Sequence, residues 1–256
     1  MPSESYSRIY RLKQHGIFVA MMMVFALSLV SCAGNTAVMQ PDTALAGPLK
    51  IHWFPRIEPE KLLHQKGVYF IDGLKGYPQT TDYTCGPAVL MEISRFYHLN
   101  HITLNPATEM RIAHEAGTRS MDVMASGGKP GTTPDEMKHW LETHGFDVRL
   151  TYEDKEDGSA LQQLKENIMK GIPTIVEWAY LGGHWAIVVG YDTRNNDNPW
   201  DDVLIMADSY DKYDDYPDGY SFVNANSFYW LWYDAFYFDK LTWRTMITAT
   251  PHTAAK

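Results

Sequence analysis

The sequence predicts an α+β domain with helices early and strands late. Before Gly171, apolar residues recur at helical spacing behind proline- or serine-marked helix starts. After Gly171, the runs become short and β-branched and are bounded by glycine, asparagine or proline. Helices followed by strands are the α+β order, and the change of period places the join near Gly171.

The elements follow in chain order. GVYFIDG at 67–73 reads as a short strand. Residues 85–99 read as a helix, because Val89, Ile93, Phe96 and Tyr97 share one face and Pro87 fits the first turn, where a missing N–H is harmless. Thr133-Pro134-Asp135-Glu136 has the form of a capping box with proline at the first helical position. It opens a helix through Met137, Trp140 and Leu141 that stops near Gly145. Ser159 to Gln162 reads as a second capping box, opening a helix through Leu161, Leu164 and Ile168 to Gly171. IPTIVEW (172–178), HWAIVVGYD (184–192) and DVLIMAD (202–208) read as strands, and TWRTMITAT (242–250) as a further one.

Ahead of the domain, Arg8, Arg11 and Lys13 precede an apolar run over 16–30 that ends in LVSC at Cys32. The run has the length of a signal-peptide core and is short for a membrane span. LVSC resembles a lipobox, which implies export, cleavage before Cys32 and acylation of Cys32; an ordinary signal anchor with an incidental cysteine is the alternative. The expected organisation is a lipoprotein signal peptide at 1–31, a tether with an N-terminal extension at 32–65, and a domain at 66–256. Residues 33–50 are small, polar and proline-containing, as a linker would be. The expected location is extracytoplasmic, with the membrane engaged through the lipid on Cys32; Ala33 after the cysteine suits the outer membrane in a Gram-negative host.

The full chain carries a formal charge of -9, and the chain from Cys32 onward has 19 basic against 30 acidic residues, or -11. An acidic chain with no basic stripe argues against nucleic acid. It has no internal repeat and no phosphate-binding glycine loop, and neither a cofactor nor a metal is implied. The acidic stretch DSYDKYDDYPDGY after residue 207 reads as a solvated turn, with a cation-binding loop as the alternative, although its spacing does not match a calcium loop.

There are two cysteines. With Cys32 lipidated, Cys85 is the single free thiol, which leaves no disulfide framework. Outside the cytosol such a thiol is either buried and inert or kept for its reactivity. Its place at a helix start favours reactivity, because the dipole and unpaired N–H groups stabilise a thiolate. A base is then needed. A histidine at a strand end is more often structural, but His184 alone among ten follows a glycine pair and opens an apolar strand. The next strand ends in Asp208, which can orient an imidazole through its second nitrogen; Asp192 is the other carboxylate to consider. Gln79, six residues before Cys85, can join the Cys85 backbone N–H as a donor to a developing oxyanion.

Four blocks together resemble a known family: Q-x5-CGPA from Gln79, GTTPDEMKHWLETHGF over 131–146, GHWAIVVGYD over 183–192 and IMADSY over 205–210. They are similar to papain-like cysteine peptidases related to the double-glycine leader peptidases (C39-like), most closely the stand-alone branch, over about residues 66–235. The resemblance implies a papain-like fold: a helical half with the nucleophile on a helix N-terminus, packed on an antiparallel sheet half. It implies Cys85 as nucleophile, His184 as general base, Asp208 as its orienter and Gln79 as oxyanion donor, acting on a peptide or protein substrate. The aromatic stretch SFYWLWYDAFYF (227–238) would be core packing. Exporter-linked members carry membrane helices and an ATPase, face the cytosol, and often have Asp where this chain has Thr84; these departures point away from a double-glycine leader as substrate. Amidase or transpeptidase chemistry on peptidoglycan stems by the same residues is the nearest alternative. A non-catalytic peptide-binding module is another, against which the intact Gln-Cys-His-Asp set argues.

Overall fold

The computed structural model describes residues 61, 65–99, 101–212, 217–235 and 237–252. The apolar leader, Cys32 and nearly all of the tether lie outside the described residues, as do 213–216 of the acidic stretch. From the N-terminal side the elements are β1 (Val68–Phe70), α1 (Cys85–Phe96), α2 (Pro106–Glu115), α3 (Pro134–Thr143), β2 (Phe146–Thr151) and α4 (Ser159–Met169). They continue with β3 (Thr174–Trp178), β4 (His184–Asp192), β5 (Val203–Ala207), β6 (Tyr220–Asn224), α5 (Ala225–Leu231), β7 (Tyr233–Ala235), β8 (Leu241–Trp243) and β9 (Met246–Pro251).

The main sheet runs β2-β9-β3-β4-β5-β6, every neighbouring pair antiparallel. β4 is its axis. One edge of β4 is shared: β3 pairs with its first half, Trp178 opposite His184, and β1 with its second half, Phe70 opposite Gly190. Helices cover both faces. Trp185, Ile187 and Val189 of β4 pack with Val89, Leu90 and Ile93 of α1 and with Met137 and Trp140 of α3. Ala186 and Val188 face the other way, against Leu161, Leu164 and Ile168 of α4 and Phe228 of α5. A strand buried on both faces reads as a continuous apolar run, which is why HWAIVVG shows no alternation.

The helix starts show why local pattern is only half the signal. At α3 the capping box is complete: Thr133 Oγ1 accepts from Glu136 N at 3.2 Å and Glu136 Oε2 accepts from Thr133 N at 2.7 Å. At α4 the second box does not form. The cap position is Gly158, at a φ of 79°, and the Asp157 carboxylate accepts from Ser159 N at 2.9 Å. α1 ends at Phe96, earlier than expected, because His98 sits at a φ of 55° and leaves helical geometry. The helices-then-strands order is also interrupted. β2 lies between α3 and α4 and pairs with β9, the last strand of the chain, while the stretch expected as one final strand is two, β8 and β9. α2, β6 and α5 lie where no element was expected. α2 carries a readable start, Asn105 capping Thr108 N at 2.9 Å ahead of Pro106.

Candidate active site

Cys85 is the first residue of α1. Thr84 before it gives no side-chain cap, since its hydroxyl is engaged with Thr81 Oγ1 at 2.8 Å. Thus the helix start keeps unpaired N–H groups at the thiol. Gly86 has a steric reason: a Cβ there would stand 2.6 Å from Thr132 Oγ1 and 2.9 Å from Thr132 Cβ. The segment that carries Thr132 therefore closes directly onto the head of the helix.

His184 is the first residue of β4 and is 3 % exposed. The preceding glycines serve the backbone: Gly182 and Gly183 have φ of 87° and 125°, with open space at Gly182 and the Tyr237 ring 3.9 Å from where a Cβ would stand at Gly183. The imidazole Nε2 lies 2.7 Å from Asp208 Oδ1. With that nitrogen taken, Nδ1 is the one left to face the Cys85 thiol, which lines the same cavity. Tyr180 and Tyr210 stand edge-on to the ring, each with its centroid 6.4 Å away. Asp208 follows β5 and is itself held: Oδ1 also accepts from Tyr210 N at 2.8 Å and Oδ2 from Ser221 Oγ of β6 at 2.7 Å. Asp192 is at the far end of β4, accepting from Arg194 N at 2.7 Å, and has no part in the cluster.

The electrostatics favour charge separation. Burial alone would push the Cys85 thiol up; the hydrogen bond and charge of His184, with the backbone N–H groups of Trp185 and Gly86, outweigh it and lower the thiol below its ordinary value. Burial alone would discharge His184, but the Asp208 carboxylate, aided by Cys85, raises it to about 10. Asp208 feels the reverse: burial would raise it, and His184, Ser221 and the Tyr210 N–H hold it lower than usual. These directions agree on a thiolate beside an imidazolium backed by a carboxylate.

Gln79 shares a cavity with Cys85, His184, Leu181 and Tyr210. Its Nε2 donates to Thr81 O at 2.7 Å and its Oε1 accepts from Ser209 Oγ at 2.9 Å. The strand-like strap that carries it, residues 76–80, is pinned from two sides. Gly76 N donates to Gly219 O and Gln79 N to Ser209 O, each at 3.0 Å, from the sheet half. Tyr77 N donates to Glu92 Oε1 at 2.8 Å and Thr80 N to Glu109 Oε1 at 2.9 Å, from α1 and α2. Both glutamates are buried, at 3 % and 0 % exposure. Burial, backed by the charges of Asp208 and Glu109, pushes Glu92 well above its ordinary value, which favours its neutral form.

A second cavity shares Asp82, Cys85 and Gly183 with the first and is lined also by Thr132, Glu177, Trp185, Tyr237 and Phe238 among others. Glu92, Glu109, Glu177, Ser209 and Ser221 had no place in the sequence expectation. Two of them carried a signal: Glu92 in VLMEISRF and Glu177 in IPTIVEW each interrupt an apolar run, and a buried acid needs a reason. The aromatic end is divided. Phe228, Tyr229 and Trp232 are core, Trp230 is 49 % exposed, and Tyr237 and Phe238 wall the cavity beside the thiol.

Residues 71–235 match the Peptidase_C39 like family. The chain belongs to that family. No curated protein matches it in sequence. Among solved structures, this C39-like peptidase is similar to the peptidase domain of Streptococcus ComA, a bi-functional ABC transporter involved in a quorum sensing pathway, at 18% identity and a TM-score of 0.45, over 70% of this chain and 99% of that one. It is similar to a double glycine motif protease from an AMS/PCAT transporter in complex with the leader peptide, at 12% identity and a TM-score of 0.41, over 71% and 97% of the two chains. It is also similar to UfSP from C. elegans, at 14% identity and a TM-score of 0.43, over 77% and 38%. The C39-like cysteine peptidase domain has the α+β, papain-like build, with Cys85 at a helix N-terminus against the antiparallel sheet that carries His184.

Proposed function

We propose that the chain is a lipid-anchored, extracytoplasmic cysteine peptidase that cleaves a peptide or amide bond through Cys85, His184 and Asp208. The observation that carries this is the buried pair in which His184 Nε2 lies 2.7 Å from Asp208 Oδ1, with His184 lining one cavity together with Cys85 and Gln79. Cys85 attacks the carbonyl carbon, a C–S bond forms, and the carbonyl π pair moves onto oxygen. The Cys85 backbone N–H and the Gln79 amide proton not given to Thr81 are the donors for that oxyanion. The imidazolium passes its proton from Nδ1 to the leaving amine as the C–N bond breaks. His184 then takes a proton from water, which attacks the thioester and returns the thiol. Asp208 stays ionised throughout and stabilises the imidazolium. A peptide substrate is supported by family membership and by the related protease bound to its leader peptide.

The test reads the thiol and the turnover separately. In a Cys32→Ser background, where Cys85 is the single cysteine, iodoacetamide should modify it at mildly acidic pH, well below the ordinary cysteine value of about 8.5. Peptide hydrolysis should disappear in Cys85→Ala. Alkylation that rises only near the free-thiol value, or hydrolysis that survives Cys85→Ala, would overturn the assignment. Location rests on the LVSC motif alone and is tested by it: Cys32→Ser should release the protein from membranes or block its maturation. A mature protein with no acyl chain and another N-terminus would remove the anchor and leave the chemistry untouched.

A further inference from the structure

Glu177 stands on β3 beside the catalytic cluster but has no part in the relay. It is 2 % exposed, and its Oε2 is buried with no hydrogen-bond partner among the described residues. A buried carboxyl oxygen left unpaired costs free energy that the fold must recover elsewhere, so it calls for a reason. The group lines the narrow cavity that Cys85 also lines and that Gln79 and His184 do not. Burial, with the charges of Asp234 and Cys85 behind it, raises the Glu177 carboxyl to about 8.

The surroundings fix what that carboxyl can receive. The walls are aromatic, from Tyr83, Trp185, Tyr237 and Phe238, and Asp82 stands exposed at the mouth. Asp234 adds negative field while its carboxylate accepts from Tyr237 N and Phe238 N, fixing the loop that carries two of the walls. The cations nearest these walls are already matched: Arg119, over the Phe238 ring, is paired with Glu136 at 2.8 Å, and Lys129, over the Tyr237 ring, lies 3.8 Å from Asp239. An apolar, aromatic sleeve with an unpaired acid in it fits the aliphatic stem and cationic end of lysine or arginine.

We propose that this cavity is a specificity subsite that takes a basic side chain of the peptide substrate, with Glu177 as its acceptor. The proposal rests on Cys85 being the nucleophile, and it deepens that reading by naming the substrate class. A basic group entering the cavity supplies the missing hydrogen bond and draws Glu177 into its ionised form. A glutamate or aspartate there would meet Glu177, Asp234 and Asp82 together and be rejected.

The experiment uses the full chain and fluorogenic peptides carrying lysine, arginine, norleucine or glutamate at each of the three positions on either side of the cut. At one position a basic residue should exceed norleucine by at least about tenfold in kcat/KM, the worth of a charge-assisted hydrogen bond in a dry site. Glu177→Gln should collapse that ratio, and Glu177→Lys should turn the preference toward glutamate. The same peptides are titrated against Cys85→Ala by fluorescence anisotropy, where the basic preference should persist and again be lost with Glu177→Gln. No basic preference in either assay, or a preference that Glu177→Gln leaves intact, overturns the subsite. Absent turnover together with a Glu177-dependent preference in binding would instead sink the peptidase reading and keep the subsite. Glu177→Gln is isosteric and uncharged, so it decides the matter even where Glu177→Lys fails to fold.

Discussion

His184→Ala is expected to lower peptide hydrolysis roughly 10²–10⁴-fold, the usual worth of a positioned general acid and base. It should also raise the Cys85 pKa. The thiol is buried, and burial favours the neutral form; the hydrogen bond and charge of His184 do most to overcome it. Once the imidazole is gone, the N–H groups of Trp185 and Gly86 remain against full burial, and the thiolate loses its partner. The midpoint of alkylation with iodoacetamide, followed by mass spectrometry, should therefore move to higher pH. An unchanged profile would mean that His184 does not set the charge of Cys85 and that the relay is geometric only.

The second large effect is on stability. The folded protein should be more stable near pH 5 than near pH 8, in the absence of substrate. Glu177 is held at about 8, against an ordinary carboxyl value of 4.5, so between those limits the folded chain binds a proton that the unfolded chain has released. Stability then falls as pH rises through that window, and Glu92, also raised, acts in the same sense. His184 adds to the fall above 6.5, while Cys85, lowered in the folded state, works against it, so the pair partly cancels. Asp208 has the opposite sign and matters only at strongly acid pH, where its stabilisation is lost. Glu177→Gln isolates one contribution. Urea unfolding at several pH values should give a shallower slope for the variant, with a relative gain reaching up to about 4 kcal/mol near pH 9. Parallel slopes for variant and wild type would show that Glu177 is not the proton-binding group.

The parts of this protein legible in sequence were those set by local chemistry. Thr133 and Glu136 cap α3 because a hydroxyl and a carboxylate three residues apart need nothing distant to meet the backbone. Ser159 and Gln162 show the same spacing and do not cap, because Gly158 and Asp157 already occupy the turn. Cys85, His184 and Asp208 could be nominated from a helix start and two strand ends; that they meet depends on β4 pairing with β5 and on α1 lying across β4. β2 was invisible as part of the sheet because its partner, β9, lies about a hundred residues away at the other end of the domain. Glu92 and Glu177 stand out in the sequence as acids inside apolar runs, but what they do, and Glu109 altogether, is visible only once burial and partners are known. Each acid gains its meaning from a backbone N–H or a cavity that other elements bring to it.

The strap that carries Gln79 belongs to neither half of the domain. Its amides reach carbonyls from residues past 208 on one side and the glutamates of two early helices on the other. Cys85 and His184, too, come from opposite halves. A ribosome releases the helical half before β4, β5 and β6 exist, so a nascent chain owns the thiol long before it owns the means to use it. The base and the carbonyls that pin the strap from the sheet side arrive only with the closing of the sheet. Assembly of the Cys85, His184 and Asp208 cluster is therefore tied to completed folding: a half-made chain carries the cysteine alone, and its partners join it only when the later strands have docked.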